Sequence, residues 1–275
     1  MPELLLPEPL LPEPPLPPTE HCNSIMALRA RELLKTRKPF AARGSKVKRC
    51  PSCLLPLTGC ICASRPAPLA GSAFCFIMYY GEAFKPTNTG RLIADVMQDN
   101  HAFVWDRTRP DPALLAVLDD ERYAPILIFP HQYAAPERCI HAPGEAADVQ
   151  AGKIPLYVML DGTWRQAKKM FNSPCLASLP VLGIDPENAS SYQLREAAHK
   201  HQLCTAEVAA MILALGGETT AAQALADYFE VFRRNYIAGK PHMVLRGGHG
   251  GEHGGEHEEN SGEKPAADLE SDDEA

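Results

Sequence analysis

Short apolar runs alternate with longer segments of helical periodicity between residues 72 and 237. The apolar runs are nearly continuous, which is typical of strands that are buried on both faces of a sheet. They predict strands at residues 73–79, 101–105, 124–129, 155–160 and 180–184. The remaining periodic segments predict helices at residues 90–98, 111–119, 164–172, 205–215 and 218–237. Strands that alternate with helices predict an α/β fold with a largely parallel sheet.

One predicted strand, residues 156–160, ends in an unusual run of residues. It is followed directly by Asp161, Gly162, Thr163 and Trp164. Gln166 follows Thr163 by three residues, which fits a capping box and predicts a helix start. Asp161 therefore lies at the carboxyl end of a buried strand, where α/β proteins bind ligands. The alternative interpretation is a capped turn with a half-buried tryptophan.

The helix after this turn is predicted to have an apolar and a polar face. The apolar residues fall near one side, as in a helix that packs on a sheet. They are Trp164, Ala167, Met170 and Phe171. Arg165 and Lys169 point the other way, and Asn172-Ser173-Pro174 is expected to end the helix.

The two ends of the chain differ in composition from its middle. Residues 1–25 are rich in Pro and Leu, and the stretch from Gly247 onward is rich in Gly, His and Glu. Such compositions predict disordered segments, and translation from Met26 is an alternative start. The acidic tail explains the formal net charge of −7, because the segment between the two ends is basic. We predict four segments: residues 1–25, 26–70, 71–240 and 241–275.

Nine Lys or Arg residues lie between Met26 and Arg49, against a single acidic residue, Glu32. They are Arg29, Arg31, Lys35, Arg37, Lys38, Arg43, Lys46, Lys48 and Arg49. The apolar spacing predicts a short amphipathic helix that ends before Pro39. A basic arm of this density is typical of a phosphate-binding surface, and a solvated helix face is the alternative.

Four cysteines follow the arm within thirteen residues, in the stretch CPSCLLPLTGCIC. Cys50 and Cys53 form a C-x-x-C pair, and Cys60 and Cys62 form a C-x-C pair. Two such pairs can place four thiolates around one tetrahedral Zn²⁺ in a closed, structural site. Disulfides are the alternative, but they need an oxidising compartment, and no export signal is recognisable. The cysteines therefore predict a zinc knuckle that fixes the basic arm.

Two further stretches have turn and helix-cap residues beside basic side chains. The first, residues 87–90, reads Thr-Asn-Thr-Gly and has Lys85 and Arg91 at its sides. The second has Arg195 upstream of a helix start at Thr205. Free N–H groups at a helix start and basic neighbours suit a phosphate or a carboxylate. Ordinary helix caps explain either stretch equally well when it is taken alone.

Taken together and in order, these stretches resemble the DTW-domain family of the TDD superfamily. The resemblance rests on K-P-T-N-T-G-R-L, L-D-G-T-W-x-x-A-x-K-M and S-x-x-L-R…L-C-T-A-E behind the cysteine knuckle. It covers residues 26–237, and the most similar members are the bacterial tRNA-uridine aminocarboxypropyltransferases of the TapT type. One departure is the segment before Glu82, which often carries His in the family and reads MYYGEAF here.

The resemblance implies a SPOUT-like knotted domain that binds S-adenosylmethionine in its C-terminal region. It also implies transfer of the 3-amino-3-carboxypropyl group to N3 of a tRNA uridine, with release of 5′-methylthioadenosine. The catalytic candidates are Asp161, Thr163 and Trp164. The cofactor-binding candidates are Thr89, Phe129, Pro130, Leu160, Gly162, Leu203 and Thr205. The candidates for substrate carboxylate or phosphate are Lys85, Asn88, Arg91 and Arg195.

Two of these side chains have more specific expected roles. Asp161 either accepts the proton of uridine N3 or binds the α-ammonium of the transferred group. Trp164 either stacks on the target base, which must be unpaired or flipped out, or packs within its own helix.

Two other functions remain open at this point. The first is a SPOUT-like RNA methyltransferase, which uses the same cofactor but releases S-adenosylhomocysteine. The second is a zinc-knuckle protein that binds RNA without catalysis. In all three cases tRNA or another RNA is the expected partner, and no obligate protein partner is evident. We expect a cytoplasmic protein, because no apolar stretch is long enough to span a bilayer.

Overall fold

A six-stranded sheet, parallel throughout, forms the centre of the fold. The computed structural model describes residues 21–35, 47–184 and 203–239. The strands are β1 (Ala73–Met78), β2 (Asn100–Val104), β3 (Tyr123–Ile128), β4 (Cys139–Ile140), β5 (Ile154–Asp161) and β6 (Val181–Leu182). They lie in the order β2-β1-β5-β3-β6-β4. The predicted α/β fold with a parallel sheet is confirmed.

Helices cover both faces of this sheet. They are α1 (Ser24–Lys35), α2 (Gly90–Val96), α3 (Pro112–Leu118), α4 (Ala147–Gln150), α5 (Trp164–Phe171), α6 (Thr205–Leu215) and α7 (Thr219–Ala238). Buried residues of α1, α2, α6 and α7 share one core cluster with one side of the strands. Buried residues of α3 and α5 share the other cluster with the opposite side. Because the strands are covered twice, their sequences are almost continuously apolar.

The five predicted strands and the five predicted helices are present, with bounds that differ by a few residues. β4 and α4 were not predicted, because elements of two and four residues are too short to show periodicity. β6 is also shorter than predicted, since only Val181 and Leu182 pair with neighbouring strands. The hydrophobic pattern therefore predicted the long strands and helices better than the short strands at the β4 edge of the sheet.

The N-terminal helix belongs to the core of the domain. Ile25 and Leu28 are buried in the same cluster as the sheet, and the side chain of Asn23 accepts a hydrogen bond from the N–H of Met26 (3.0 Å). The Nδ2 group of Asn23 also donates to Asp95 (2.8 Å). The predicted disordered extension through residue 25 is thus wrong for its last five residues, because a cap and a buried isoleucine fix them.

Several predictions fall outside the described residues. They concern the extension before residue 21, the middle of the basic arm, Arg195 and the acidic tail. The predicted knot also depends on residues 185–202, which precede α6 and are outside the described ranges. Within the described ranges, no helix is long and apolar enough to cross a membrane.

Candidate active site and metal centre

Asp161 is the last residue of β5, at the carboxyl end of the central strand of the sheet. It pairs with Met78 of β1, and its backbone carbonyl accepts a hydrogen bond from the N–H of Tyr79 (2.8 Å). The residue is only 8% exposed. The sequence-based position at the carboxyl edge is correct, but the side chain is more buried than a turn residue would be.

The carboxylate of Asp161 is buried beneath the surface. Its Oδ2 atom accepts a hydrogen bond from Nδ2 of Asn88 at 2.7 Å. Burial raises the pKa of Asp161 to about 6; the Asn88 hydrogen bond and Lys85 oppose the rise, and the negative charge of Glu82 adds to it. A carboxylic acid with a pKa near 6 can gain and lose a proton close to neutral pH.

The turn before α2 is built around this carboxylate. A Cβ atom on Gly90 would lie 3.1 Å from Oδ2 of Asp161, so a larger residue there would crowd the acid. The hydroxyl of Thr89 accepts a hydrogen bond from the N–H of Ala206 (3.3 Å), which joins the starts of α2 and α6. Asn88 and Thr89 are both buried. This stretch therefore holds Asp161 and α6 in place.

An open cleft of about 520 Å³ lies at the carboxyl edge of β3 and β5. The structure brings six of the seven predicted cofactor-binding residues to its wall: Phe129, Pro130, Leu160, Gly162, Leu203 and Thr205. The seventh, Thr89, is not part of the lining. Leu160 and Gly162 flank Asp161 in sequence, so the backbone of Asp161 runs along the cleft while its side chain is buried.

Gly162 and Thr163 shape the turn between β5 and α5. A Cβ atom on Gly162 would lie 3.2 Å from Cβ of Tyr79 and 3.1 Å from Cβ of Gln166. A larger residue at this position would therefore have to displace these neighbours by a few tenths of an ångström. Oε1 of Gln166 accepts a hydrogen bond from the N–H of Thr163 (2.8 Å), and this contact completes the predicted capping box. The position of Thr163 is explained by the helix cap.

Trp164 begins α5 and also lines the cleft. Ala167, Met170 and Phe171 are buried as predicted, whereas Trp164 is 45% exposed. Its ring stacks on Phe129, with centroids 5.3 Å apart and planes within 7°. One face of the indole is thus already covered, and Trp164 can offer only the other face to a base. The ammonium of Lys168 lies 5.3 Å from the same ring.

Arg91 does not fit the phosphate contact that the sequence predicted. It is 2% exposed, and its guanidinium donates to the carbonyls of Asn88 (3.1 Å), Pro86 (3.1 Å) and Cys53. It also lies 5.1 Å from the centre of the Phe232 ring. These contacts connect α2 to α7 and to the cysteine loop, so Arg91 has a structural role.

Lys85 is exposed enough to contact a ligand. Its side chain is 45% exposed and forms an ion pair with Glu82, which is buried. Glu82 did not appear among the predicted site residues. It is the one acidic residue between β1 and α2, and that isolation was the available signal. The other missed residues are apolar members of the cleft wall, which cannot be told from core residues in a sequence: Ile128, Met159, Ala167, Ile184 and Val208.

The four knuckle cysteines converge as predicted. Their Sγ atoms all lie within 4.8 Å of one another, with Cys50 and Cys62 at 3.6 Å and Cys53 and Cys60 at 3.7 Å. Zn–S bonds of about 2.3 Å in a tetrahedron place neighbouring sulfurs about 3.8 Å apart. A disulfide would need about 2.05 Å. The donor set and its spacing therefore fit a tetrahedral Zn²⁺ site.

Comparisons with known proteins agree with the motifs. The sequence profile described as the DTW domain matches residues 47–237. A curated relative, tRNA-uridine aminocarboxypropyltransferase 2 of Drosophila melanogaster, is 26% identical over 175 residues. The match covers 61% of this chain and 66% of that protein, so the chain spans just under two thirds of the relative's length. No solved structure matches the chain significantly.

Proposed function

The chain belongs to the DTW-domain family, and from this we propose that it is a tRNA-uridine aminocarboxypropyltransferase. The proposed reaction moves the 3-amino-3-carboxypropyl group of S-adenosylmethionine to N3 of a tRNA uridine. The observation that carries the proposal is a buried carboxylate, Asp161, whose pKa burial raises to about 6 and whose neighbours Leu160 and Gly162 line an open cleft. The name of the Drosophila relative supports the same activity.

The chemistry requires a base and a precisely oriented electrophile. A sulfonium has three electrophilic carbons, and the one presented in line to the nucleophile reacts. In the proposed reaction Asp161 accepts the proton of uridine N3, and N3 forms a bond to the γ-carbon of the transferred group. The carbon–sulfur bond breaks, and the sulfur keeps the electron pair as neutral 5′-methylthioadenosine. The proton then passes from Asp161 to water.

We propose that the cleft binds S-adenosylmethionine, because its volume of about 520 Å³ is in the range of small-molecule sites. We propose that Phe129, Pro130 and Leu160 hold the adenine and the methyl end, because they supply apolar surface at one rim. Leu203 and Thr205 lie at the start of α6 on the same wall, where the threonine hydroxyl can bind the ribose. Lys85, half-exposed beside Glu82, is the proposed contact for the carboxylate of the transferred group.

We also propose that the cysteine cluster binds one structural Zn²⁺ through Cys50, Cys53, Cys60 and Cys62. Four thiolates close the coordination sphere, so this ion has no open position for catalysis. Cys50, Cys53 and Ile61 belong to the same core cluster as the sheet, and Arg91 binds the carbonyl of Cys53. The metal would therefore fix the knuckle, and the arm that precedes it, against the catalytic domain.

The basic arm is proposed to bind tRNA phosphates, and neutralising it should flatten the salt dependence of binding. Replacing Arg31, Lys35 and Lys48 by Gln removes three exposed cations. Each lost phosphate contact should lower the slope of log affinity against log salt by roughly 0.7 to 0.9, so by roughly 2 to 3 in all. Titrations of tRNA at several salt concentrations measure this slope. An unchanged slope would remove the arm from the interface.

Turnover is expected to rise with pH through about 6 and then level off. Burial raises the pKa of Asp161 to about 6, and only the ionised form accepts a proton, so activity should be lost as the pH falls below that value. A role as base lowers kcat at acid pH, whereas a role in binding the ammonium raises the KM for S-adenosylmethionine. Kinetics between pH 5 and 8 separate the two, and a flat profile in both parameters would exclude Asp161 from either role.

Asn88→Ala should raise the pH below which turnover is lost. The amide of Asn88 donates to the carboxylate of Asp161 and so favours its charged form. Without the donor, the pKa of Asp161 should rise, and kcat at neutral pH should fall. Asn172→Ala is a control, because that amide bonds to a backbone carbonyl at the end of α5 (3.0 Å). If turnover in the variant fell off at the same pH as in the wild type, Asn88 would not act through Asp161.

The direct test is to identify the product of the purified protein. Incubation with S-adenosylmethionine and tRNA from cells that lack the gene should release 5′-methylthioadenosine and add the aminocarboxypropyl mass to uridine. Mass spectrometry of the nucleosides measures both. S-adenosylhomocysteine with a methylated nucleoside would instead identify a methyltransferase. If neither pair of products formed, the alternative of a non-catalytic RNA-binding protein would be favoured. Because tRNA is the proposed substrate, the cytoplasm is the proposed place of action.

A further inference from the structure

The outward face of α5 carries positive charge that the fold does not neutralise. Among the eight residues of this helix, three are basic and none is acidic. Arg165 and Lys169 are both exposed, and neither forms an ion pair with any residue that the structure describes. They are four residues apart and therefore lie on the same face of the helix, where like charges repel.

Helix stability does not explain this arrangement. Lys168 and Lys169 lie in the last turn, where cations interact favourably with the helix dipole. Arg165 lies in the first turn, where a cation is unfavourable. Lys168 already has partners, since its ammonium lies 4.6 Å from the ring of Tyr133 and 5.3 Å from that of Trp164. Within the described residues, the charge of Arg165 is therefore left without a structural role, and that of Lys169 has only the helix dipole as a partner.

Basic residues at the opposite edge of the sheet are arranged differently. Arg122 precedes β3 and pairs with Asp120 at 2.8 Å, and Lys153 precedes β5 and pairs with Asp148 at 2.9 Å. Arg165 lies instead next to Trp164, the helix residue that lines the cleft at the carboxyl edge, and Lys169 lies one turn further along α5. An anion that binds Arg165 would lie within one residue of the cleft wall.

We propose that the outward face of α5 binds phosphates of the RNA nucleotides that flank the base in the cleft. The inference rests on the proposed function, because it takes RNA as the substrate. Arg165 is suited to this task, since its guanidinium can bind two phosphate oxygens at once. Phosphates held on α5 would position the backbone on either side of the target base, whereas the N-terminal arm would bind a more distant part of the tRNA.

The test compares two double variants that lose the same charge. Arg165→Gln with Lys169→Gln changes α5, and Arg122→Gln with Lys153→Gln changes the opposite edge. The probe is unfractionated tRNA from cells that lack the gene. Losing two phosphate contacts should lower the salt slope by roughly 1.5 and raise the tRNA KM about 10- to 30-fold at 0.15 M salt. The affinity for S-adenosylmethionine should not change, and the charge-conserving swap Arg165→Lys with Lys169→Arg should keep the wild-type salt slope.

The outcomes separate this inference from the proposed function. Equal tRNA affinity and salt slope in the wild type and the α5 variant would overturn the role of α5. An equal loss in the control variant would also overturn it, because the effect would then be one of net charge. If wild-type protein released no 5′-methylthioadenosine, the proposed reaction would fail, and the binding titrations would still decide whether α5 contacts RNA.

Discussion

Asp161→Asn is expected to lose about 10²- to 10⁴-fold in turnover, the usual contribution of a positioned base. The substitution keeps the size of the side chain and an oxygen that can accept the hydrogen bond from Asn88. It removes the charge that accepts the proton. Release of 5′-methylthioadenosine at saturating substrate measures the effect, and isothermal titration with S-adenosylmethionine checks that the cleft is intact.

The melting temperature of this variant should hold or rise. Burial raises the pKa of Asp161 to about 6, because the folded protein disfavours the charged form. A neutral amide at the same place avoids the cost of burying a charge above that pH. Asp120→Asn is the control, since that carboxylate is at the opposite edge of the sheet and pairs with Arg122. Near-normal turnover in a well-folded Asp161→Asn protein would reduce the DGTW turn to a structural cap.

Cys53→Ser should release the zinc and loosen the knuckle. The residue is fully buried, and replacing a ligand should weaken binding by at least the 10- to about 100-fold that loss of a supporting contact costs. Metal binding to a structural site contributes directly to folding stability. We therefore expect metal analysis to find about one zinc per wild-type chain and much less in the variant. The melting temperature should fall with the metal content.

The same variant should bind tRNA more weakly and S-adenosylmethionine almost normally. The knuckle is proposed to hold the part of the arm that directly precedes it, whereas no cysteine of the cluster lines the cleft among the described residues. Cys139→Ser is a matched control, since that thiol lies outside the cluster and donates to the carbonyl of Ala135 (3.5 Å). Wild-type protein without zinc, or full zinc content in Cys53→Ser, would contradict the metal site.

The sequence predicted the positions of site residues better than their surroundings. Asp161 and Gly162 were identifiable because a buried strand that ends in polar residues has few structural explanations. Periodicity also identified α5, and the cysteine spacing identified a four-sulfur cluster. These features are local, and a few neighbouring residues determine each of them.

The roles of Asn88 and Arg91 were not predictable in the same way. Both belong to a turn with helix-cap residues beside basic side chains, which is also the pattern of an anion site. Their actual partners are 73 and 38 residues away in the chain, at Asp161 and Cys53. Contacts of that range depend on the packing of α2 against the sheet. In the structure, the stretch that resembled a phosphate site therefore supports Asp161 and the cysteine knuckle.

The stacking of Trp164 also depends on residues that are distant in the chain. Its helical position placed it on the apolar face, but the aromatic side chains that surround it come from other segments. Phe129 follows β3, and Tyr133 lies in the loop beyond it. Helical periodicity describes one element at a time and does not include those neighbours.

The order of the strands has a consequence for synthesis of the protein. β5 lies between β1 and β3, and those two strands have no pairing with each other. A growing chain that has emerged through β3 can pair β1 with β2, but it cannot connect that ribbon to β3. Joining β1 and β2 to β3 must wait for residues 154–161, and pairings between distant segments form slowly.

β5, the strand that joins β1 and β2 to β3, is also the strand that ends in Asp161. Joining these strands and placing the acid are therefore one event in the folding of the chain. Until that event, apolar strand edges of the two halves are exposed, which is when a nascent chain most readily aggregates.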